Sequence, residues 1–289
     1  MPGDNAHNDA ATKAAAALAS SRNLKQRVGS GVVMALIALA LVYAGPVPTA
    51  VMVLVVALVM CWEWGHLIRA SAADIAFGVH AAAVATAIGL IAGSQPAHAL
   101  TAILTGTLLV FLLALKTRPL LSALGVPYVG LAAVSLIFMR LDGSNGFAAV
   151  VFIIMVVATT DTMAFVFGRT IGGAKLWPAV SPNKTWAGFL GGIGSSALAS
   201  AAFASLIPGA SPLRLGVLGL LLGIIAQGGD LAESALKRFL GVKDASSIIP
   251  GHGGVMDRMD GVVTVAFAAA IFALFLKASA PATALLIGG

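Results

Sequence analysis

The sequence has 289 residues, of which 59% are hydrophobic and only 10% charged, and its mean hydropathy is +1.00. Soluble globular chains carry about a quarter charged residues, so a soluble domain is excluded and a multi-span helical membrane protein is implied. The net charge of +6 comes from bases scattered through short connections between apolar runs, a pattern set by membrane topology and not by a nucleic-acid surface.

Residues 1–27 read as a disordered, Ala-rich tail that ends in a short basic helix. They hold no compact apolar core followed by a small-residue cleavage site, and Asp4 and Asp9 do not suit a transit peptide. From residue 28 to 289 the chain reads as one all-α polytopic bundle. A span needs about 20 mainly apolar residues. Runs of that kind fall at 28–45, 48–68, 75–93, 98–115, 120–139, 146–167, 187–207, 213–230 and 261–279, which predicts nine transmembrane helices.

Cys61, the single cysteine, lies in the second run, so an intrachain disulfide and a cysteine zinc cluster are both excluded. In the seventh and eighth runs, Gly188 and Gly192, and Gly219 and Gly223, have the four-residue spacing that lets helix backbones approach closely in lipid. No internal repeat is evident.

With nine spans and the N-terminus in the cytoplasm, fourteen Lys and Arg fall on the cytoplasmic side and only Arg140, Arg214 and Lys277 outside. That asymmetry is what the positive-inside rule requires. Both long polar connections, 168–186 and 231–260, then face the cytoplasm, where nucleotides are. An inner or plasma membrane, with both polar connections on its cytoplasmic face, is the expected location.

The acids are the most informative residues. The chain has only eleven Asp and Glu, and six of them, Asp161, Asp230, Glu233, Asp244, Asp257 and Asp260, lie in the last three charged segments. Asp161 stands inside the apolar run VFIIMVVATTDTMAFVFG, where insertion of a carboxylate costs about 2.5–3.5 kcal/mol. A hydrogen bond to Thr159, Thr160 or Thr162 is one way to offset that cost; a functional site is the other.

In GGDLAESALKR, Asp230, Glu233, Ser234 and Lys237 fall on one helical face. The Glu233–Lys237 spacing is a favourable i, i+4 pair, but worth only about 0.2–0.5 kcal/mol, so it does not account for Asp230. DRMDG repeats the spacing with Asp257 and Asp260 at the start of the final span, Arg258 pointing elsewhere. Acids there suit the helix dipole, yet two carboxylate clusters closing one loop also suit a hard cation such as Mg²⁺. Asp230 and Asp257, one from each helix, are the economical ligands, with Asp161, Glu233 and Asp260 as further ligands or support.

Between the clusters, PGHGG offers Gly253 and Gly254 as a turn whose N–H groups face an anion. His252, with Lys237, Arg238, Lys243 and Arg258, can clamp phosphates. In GRTIGGAKLWPAVSPNKTWAG, Ser181, Asn183, Lys184 and Thr185 precede a helix starting near Trp186. Thr185 or Ser181 can cap it while Lys184 meets an anion at its positive end. The spacing of a Walker A loop is missing.

The stretch SALKRFLGVKDASSIIPGHGGVMDRMD, Ser234 to Asp260, resembles the signature of the phosphatidate cytidylyltransferases, also called CDP-diacylglycerol synthases. TDTMAFVFGR, Thr160 to Arg169, and SPNKTWAG, Ser181 to Gly188, resemble the same family, although Ala187 stands where many members carry an acid or amide. The resemblance covers residues 158–262; the first five spans share only the apolar pattern and a basic LKQR.

It implies a nucleotidyltransferase that combines CTP and phosphatidate into CDP-diacylglycerol and pyrophosphate for phospholipid synthesis. Mg²⁺, a second cation beside it, a homodimer in the lipid and no nucleic-acid partner are also implied. Carried over, Asp230 and Asp257 are the metal carboxylates, and Asp230, Asp257, Lys237 and His252 the catalytic group. Ser181, Lys184, Thr185, Arg238, Lys243, Gly253, Gly254 and Arg258 are then the substrate contacts.

Two rivals are weaker. DRMDG also resembles the start of the CDP-alcohol phosphotransferase motif, but VVTVAFAAAIFALF after it has no acid to complete that motif. A cation or phosphate transporter would place acids near mid-membrane on several spans, not at one face.

Overall fold

The computed structural model describes residues 31, 33–71, 73–246, 248, 253–277 and 279–288. The expected N-terminal tail, residues 1–27, lies outside them. A short apolar helix, α1 (Val33–Ala44), leads into α2 (Pro46–Arg69), α3 (Ile75–Ala92), α4 (Pro96–Leu113), α5 (Pro119–Arg140) and α6 (Gly146–Thr170). A hairpin, β1 (Lys175–Trp177) and β2 (Ser181–Thr185), precedes α7 (Trp186–Phe203), α8 (Pro212–Phe239), α9 (Met256–Lys277) and a terminal α10 (Pro281–Leu286).

Eight of these helices, α2 to α9, are long and apolar enough to cross a bilayer. They match eight of the nine predicted spans. Where the other was expected, at 28–45, the described helix α1 covers only Val33–Ala44. The helices are apolar all round, as lipid requires, and proline at the start of α2, α4, α5, α8 and α10 sits where its missing N–H costs nothing.

Short connections make successive helices run in opposite directions, so one end of the bundle gathers the connections after α2, α4, α6 and α8. Among the described residues that end holds Arg69, Lys116, Arg118, Arg169, Lys175, Lys184, Lys237, Arg238, Lys243 and Arg258, and the other holds only Arg140, Arg214 and Lys277.

Glycine sets the packing of the half that carries the acids. A Cβ on Gly188 would stand 2.6 Å from the Ala164 carbonyl oxygen of α6, and one on Gly192 would stand 2.8 Å from that of Thr160. On α8, Gly219 and Gly223 meet Ser196 of α7, whose hydroxyl donates to the Gly219 carbonyl at 3.0 Å. Gly261 of α9 leaves room for Val157 of α6, 2.9 Å from where its Cβ would be.

The expected close approach at all four spaced glycines is therefore present. Because the obstacle at Gly188 is backbone, Gly188→Leu should push α6 from α7 and cost at least about 1–3 kcal/mol. A fall in the thermal midpoint of the detergent-solubilised protein would show it, and an unchanged midpoint would contradict the packing.

Two features were not predicted. The polar segment 168–186 forms the antiparallel hairpin, with Lys175 opposite Thr185 and Trp177 opposite Ser181. Gly172 and Gly173, at φ +66° and +89°, make the turn that leads into it.

The chain also ends in α10, whose Ala282, Ala284, Leu285 and Leu286 are fully buried at the end opposite the acids. There Asp142 accepts from the Thr283 N–H at 2.9 Å and from its hydroxyl at 3.3 Å. Partial burial pulls the Asp142 carboxyl upward, but the Thr283 donors and Ser144 outweigh it and hold it below the ordinary aspartate range. A depressed folded value stabilises above the unfolded value of about 3.9 and is lost as pH falls through it. Acid below about pH 4 should therefore loosen α10, seen as faster hydrogen exchange of residues 283–288, and Asp142→Asn should remove that pH dependence.

Candidate active site

The ends of α6 and α8, the starts of α7 and α9, and the hairpin enclose a cavity of about 560 Å³. The length of α8 explains why polar residues reach it. At 1.5 Å per residue its 28 residues span about 42 Å, well beyond a hydrocarbon core of about 30 Å, so its last turns leave the lipid. Asp230, Glu233 and Lys237 lie on those turns. Asp257, Arg258 and Asp260 face them from the first turn and a half of α9, and Asp161 comes from α6.

Two lysines answer the acids. Lys184 Nζ lies 2.6 Å from Asp230 Oδ2, and the Ser234 hydroxyl donates to Asp230 Oδ1 at 3.3 Å. Lys237 Nζ bridges Glu233 Oε1 at 3.1 Å and Asp257 Oδ1 at 2.6 Å. Glu233 is buried behind the cavity, where Tyr128 of α5 donates to its Oε2 at 3.3 Å.

Among the described residues Asp161 makes no hydrogen bond to its neighbouring threonines; Thr160 donates to the Val156 carbonyl instead, at 2.7 Å. Its charge faces Asp230, Lys184 and Arg258, and Asp260 lies within electrostatic reach of both Asp161 and Asp230. Three carboxylates at that range repel one another unless cations share the cavity.

The glycine turn is used differently from the expectation. Successive N–H groups do converge on anions, but the anions are the chain's own. Gly254 N–H donates to Asp257 Oδ2 at 2.8 Å, Val255 N–H to Glu63 Oε1 at 2.8 Å and Met256 N–H to Glu63 Oε2 at 2.6 Å. The Ser246 hydroxyl adds a third bond to Glu63 at 2.5 Å, and Ala245 N–H reaches Asp257 Oδ2 at 3.1 Å. Gly253 has the positive φ expected, +82°. Gly254 does not need it; a Cβ there would stand 2.6 Å from Glu63 Oε1.

The cavity thus collects Asp161, Lys184, Thr185, Asp230, Lys237, Asp257, Arg258 and Asp260. Thr185 caps α7, accepting from Gly188 N–H at 3.1 Å, as expected. Arg258, expected to point elsewhere, lines the cavity. Helical spacing turns it about 100° from Asp257, yet its side chain still lines the cavity.

Five predicted contacts lie outside the cavity lining, Gly253 and Gly254 of the glycine turn among them. Ser181 sits on β2 outside the cavity lining. Arg238 donates to the Val180 carbonyl at 3.4 Å and the Val242 carbonyl at 3.3 Å, fastening the hairpin to α8. Lys243 lines a different cavity. His252 lies outside the described residues.

The structure adds Arg169, Asn183 and Gln227 to the lining and Glu63 and Tyr128 to its support. Glu63 had a readable signal, an acid inside the apolar run VMCWEWG.

Paired carboxylates and lysines in one cavity at the end of an apolar helical bundle make a charged site beside lipid, of the kind that a membrane enzyme for charged substrates needs. The chain belongs to the Cytidylyltransferase family, whose model matches residues 25–277, and it is therefore a nucleotidyltransferase. A phosphatidate cytidylyltransferase of Brucella suis biovar 1 is 37% identical over 262 residues, 90% of this chain and 97% of its own. A phosphatidate cytidylyltransferase of Brucella abortus biovar 1 is 38% identical over 88% of this chain and 93% of its own. One from Staphylococcus saprophyticus is 40% identical over 143 residues, 49% of this chain and 54% of its own.

Proposed function

We propose that the chain transfers CMP from CTP to phosphatidate, forming CDP-diacylglycerol and pyrophosphate. The observation that carries this reading is the shared cavity: acids and bases from three helices and the hairpin meet at one end of the bundle, where a lipid headgroup and a water-soluble nucleotide can both arrive. Family membership and the names of the relatives agree with it.

In this reaction a phosphate oxygen of phosphatidate attacks the α-phosphorus of CTP in line. The bond from that phosphorus to the bridging oxygen of the β-phosphate breaks, and pyrophosphate leaves with the electron pair. No protein nucleophile is required. Lys184, Lys237, Arg169 and Arg258 supply the positive charge that draws two phosphates together against their own repulsion. Asp230 and Asp257 hold the two lysines in place at 2.6 Å each. Thr185 caps the start of α7 through the Gly188 N–H, so that the positive end of that helix lies at the same cavity.

The oxygen-only donor set suits Mg²⁺. Among the described residues no group of three or more His, Cys, Asp or Glu forms a closed cage. Mg²⁺ needs none, because it takes one or two carboxylates and completes its shell with water and substrate phosphate. Asp230 and Asp257 would hold it, with Asp161 and Asp260 beside them; Glu233, spent on Lys237 and Tyr128, supports. The ion would screen the charge that develops on the departing pyrophosphate. A second cation and a homodimer belong to the same reading through the family resemblance. The ten basic residues at the site end favour a cytoplasmic orientation in a bacterial inner or plasma membrane.

The test is direct. Purified protein in detergent, given labelled CTP, phosphatidate and Mg²⁺, should release pyrophosphate and a CDP-lipid in equal amounts. A preparation with an intact thermal transition that forms no CDP-lipid would overturn the proposal.

A further inference from the structure

A second cavity, of about 990 Å³, opens at the same end of the bundle and shares no lining residue with the first. Bases reach it from three separate segments: Arg69 at the end of α2, Arg118 just before α5, and Lys243 after α8. Among the described residues Asp244 is the one acid in its lining. On α2, Trp62 and His66 stack with ring centroids 5.7 Å apart, giving the cavity an aromatic edge.

Two details suit this cavity to an anion. The Arg69 side chain is only 3% exposed; its Nε and Nη2 grip Asp74 at 2.7 and 3.0 Å, while Nη1 is buried without a hydrogen-bond partner among the described residues. A buried guanidinium donor left unpaired is costly. In addition α5, 22 residues long, starts at this cavity with no side chain capping its first turn, so its positive end adds to that of the bases. Low-dielectric walls focus such a field on an incoming anion.

The wall between the two cavities is the stretch 243–246. Lys243, Asp244, Ala245 and Ser246 line the second cavity, while the Ala245 N–H holds Asp257 and the Ser246 hydroxyl holds Glu63. We propose that the second cavity binds a phosphate-bearing anion that is not consumed in the reaction, and that the 243–246 stretch conveys its occupancy to Asp257. The ligand chemistry, an anionic phosphate beside an apolar edge, fits a free pyrophosphate or an anionic lipid headgroup.

Arg118 separates this site from the first, because it is exposed and has no part in the catalytic cavity. In detergent, inorganic pyrophosphate should raise the thermal midpoint of the Lys184→Gln protein, whose catalytic cavity is weakened, and Arg118→Gln added to it should weaken that response at least tenfold in concentration. In nanodiscs, phosphatidylglycerol in place of phosphatidylcholine should shift the wild type and not Arg118→Gln. A response lost in the first arm assigns a free phosphate; one lost only in the second assigns a headgroup. The turnover of Arg118→Gln without added anion should equal that of wild type, and the anion's effect on wild-type kcat should persist at saturating CTP. No response in either arm, or one that Arg118→Gln leaves intact, overturns the proposal. The binding arms read independently of whether the chain makes CDP-lipid.

Discussion

Asp257→Asn should lower CDP-lipid formation by about 10²–10³-fold, the scale for removing one preorganised charge interaction from a site. Asparagine keeps the size of the side chain and one carbonyl oxygen, so the Gly254 N–H at 2.8 Å retains an acceptor and the turn into α9 stays in place. What is lost is charge. Lys237, now 2.6 Å from Asp257 and 3.1 Å from Glu233, would keep only Glu233 and withdraw towards it, away from the cavity. The stability loss should stay near one charge-assisted hydrogen bond, about 1.5–3 kcal/mol, so the variant remains folded in detergent. If Asp257 also holds Mg²⁺, the concentration needed for half-maximal residual activity should rise about 10–100-fold. Wild-type turnover in Asp257→Asn would remove this residue from the site, and lost turnover at unchanged Mg²⁺ demand would leave it only the role of holding Lys237.

The sequence shows the lipid-embedded part of this architecture well, because in hydrocarbon a span must be long, helical and apolar throughout. Eight spans read from runs of that kind are present, and the spaced glycines of α7 and α8 lie against α6 and α7 as their pattern implied. Asp230, Glu233 and Lys237 were legible together, since one helical face fixes them.

The losses occurred where side chains meet across distant segments. The hairpin of three and five residues is too short for alternation to reveal it, and it is fixed by tertiary bonds such as that from Arg238 to Val180. Lys243, only six residues beyond Lys237, faces another cavity because the chain turns after α8 at Gly241, φ +74°. The glycine turn carried the right signal for an anion, but local sequence could not tell whether that anion was a substrate or a carboxylate nearly 200 residues upstream.

That carboxylate, Glu63, yields the second large effect. It is fully buried on α2, and its two oxygens accept from the Ser246 hydroxyl and from the N–H groups of Val255 and Met256. The last two are free N–H groups at the positive end of α9, so Glu63 caps that helix from a different part of the chain and favours its dipole. Glu63→Ala leaves a buried N–H, a part-buried N–H and the Ser246 hydroxyl proton without their acceptor, at up to about 1–3 kcal/mol each. The sum is comparable with the whole stability of a typical domain, about 5–15 kcal/mol, so little folded protein should accumulate. Glu63→Gln is the informative variant. It keeps the shape and one acceptor but sets an NH₂ against a backbone donor, which should tilt the first turn of α9 and with it Asp257. Because Glu63 does not line the catalytic cavity, KM for CTP should change less than about threefold while kcat falls about 10–100-fold, the scale of losing a supporting partner one step from the site. Ser246→Ala, which removes one of three donors and leaves both backbone bonds, should cost less than Glu63→Gln in kcat and in thermal midpoint. A Glu63→Gln enzyme with wild-type kcat, or with its whole defect in KM, would show that α9 holds its position without this clamp.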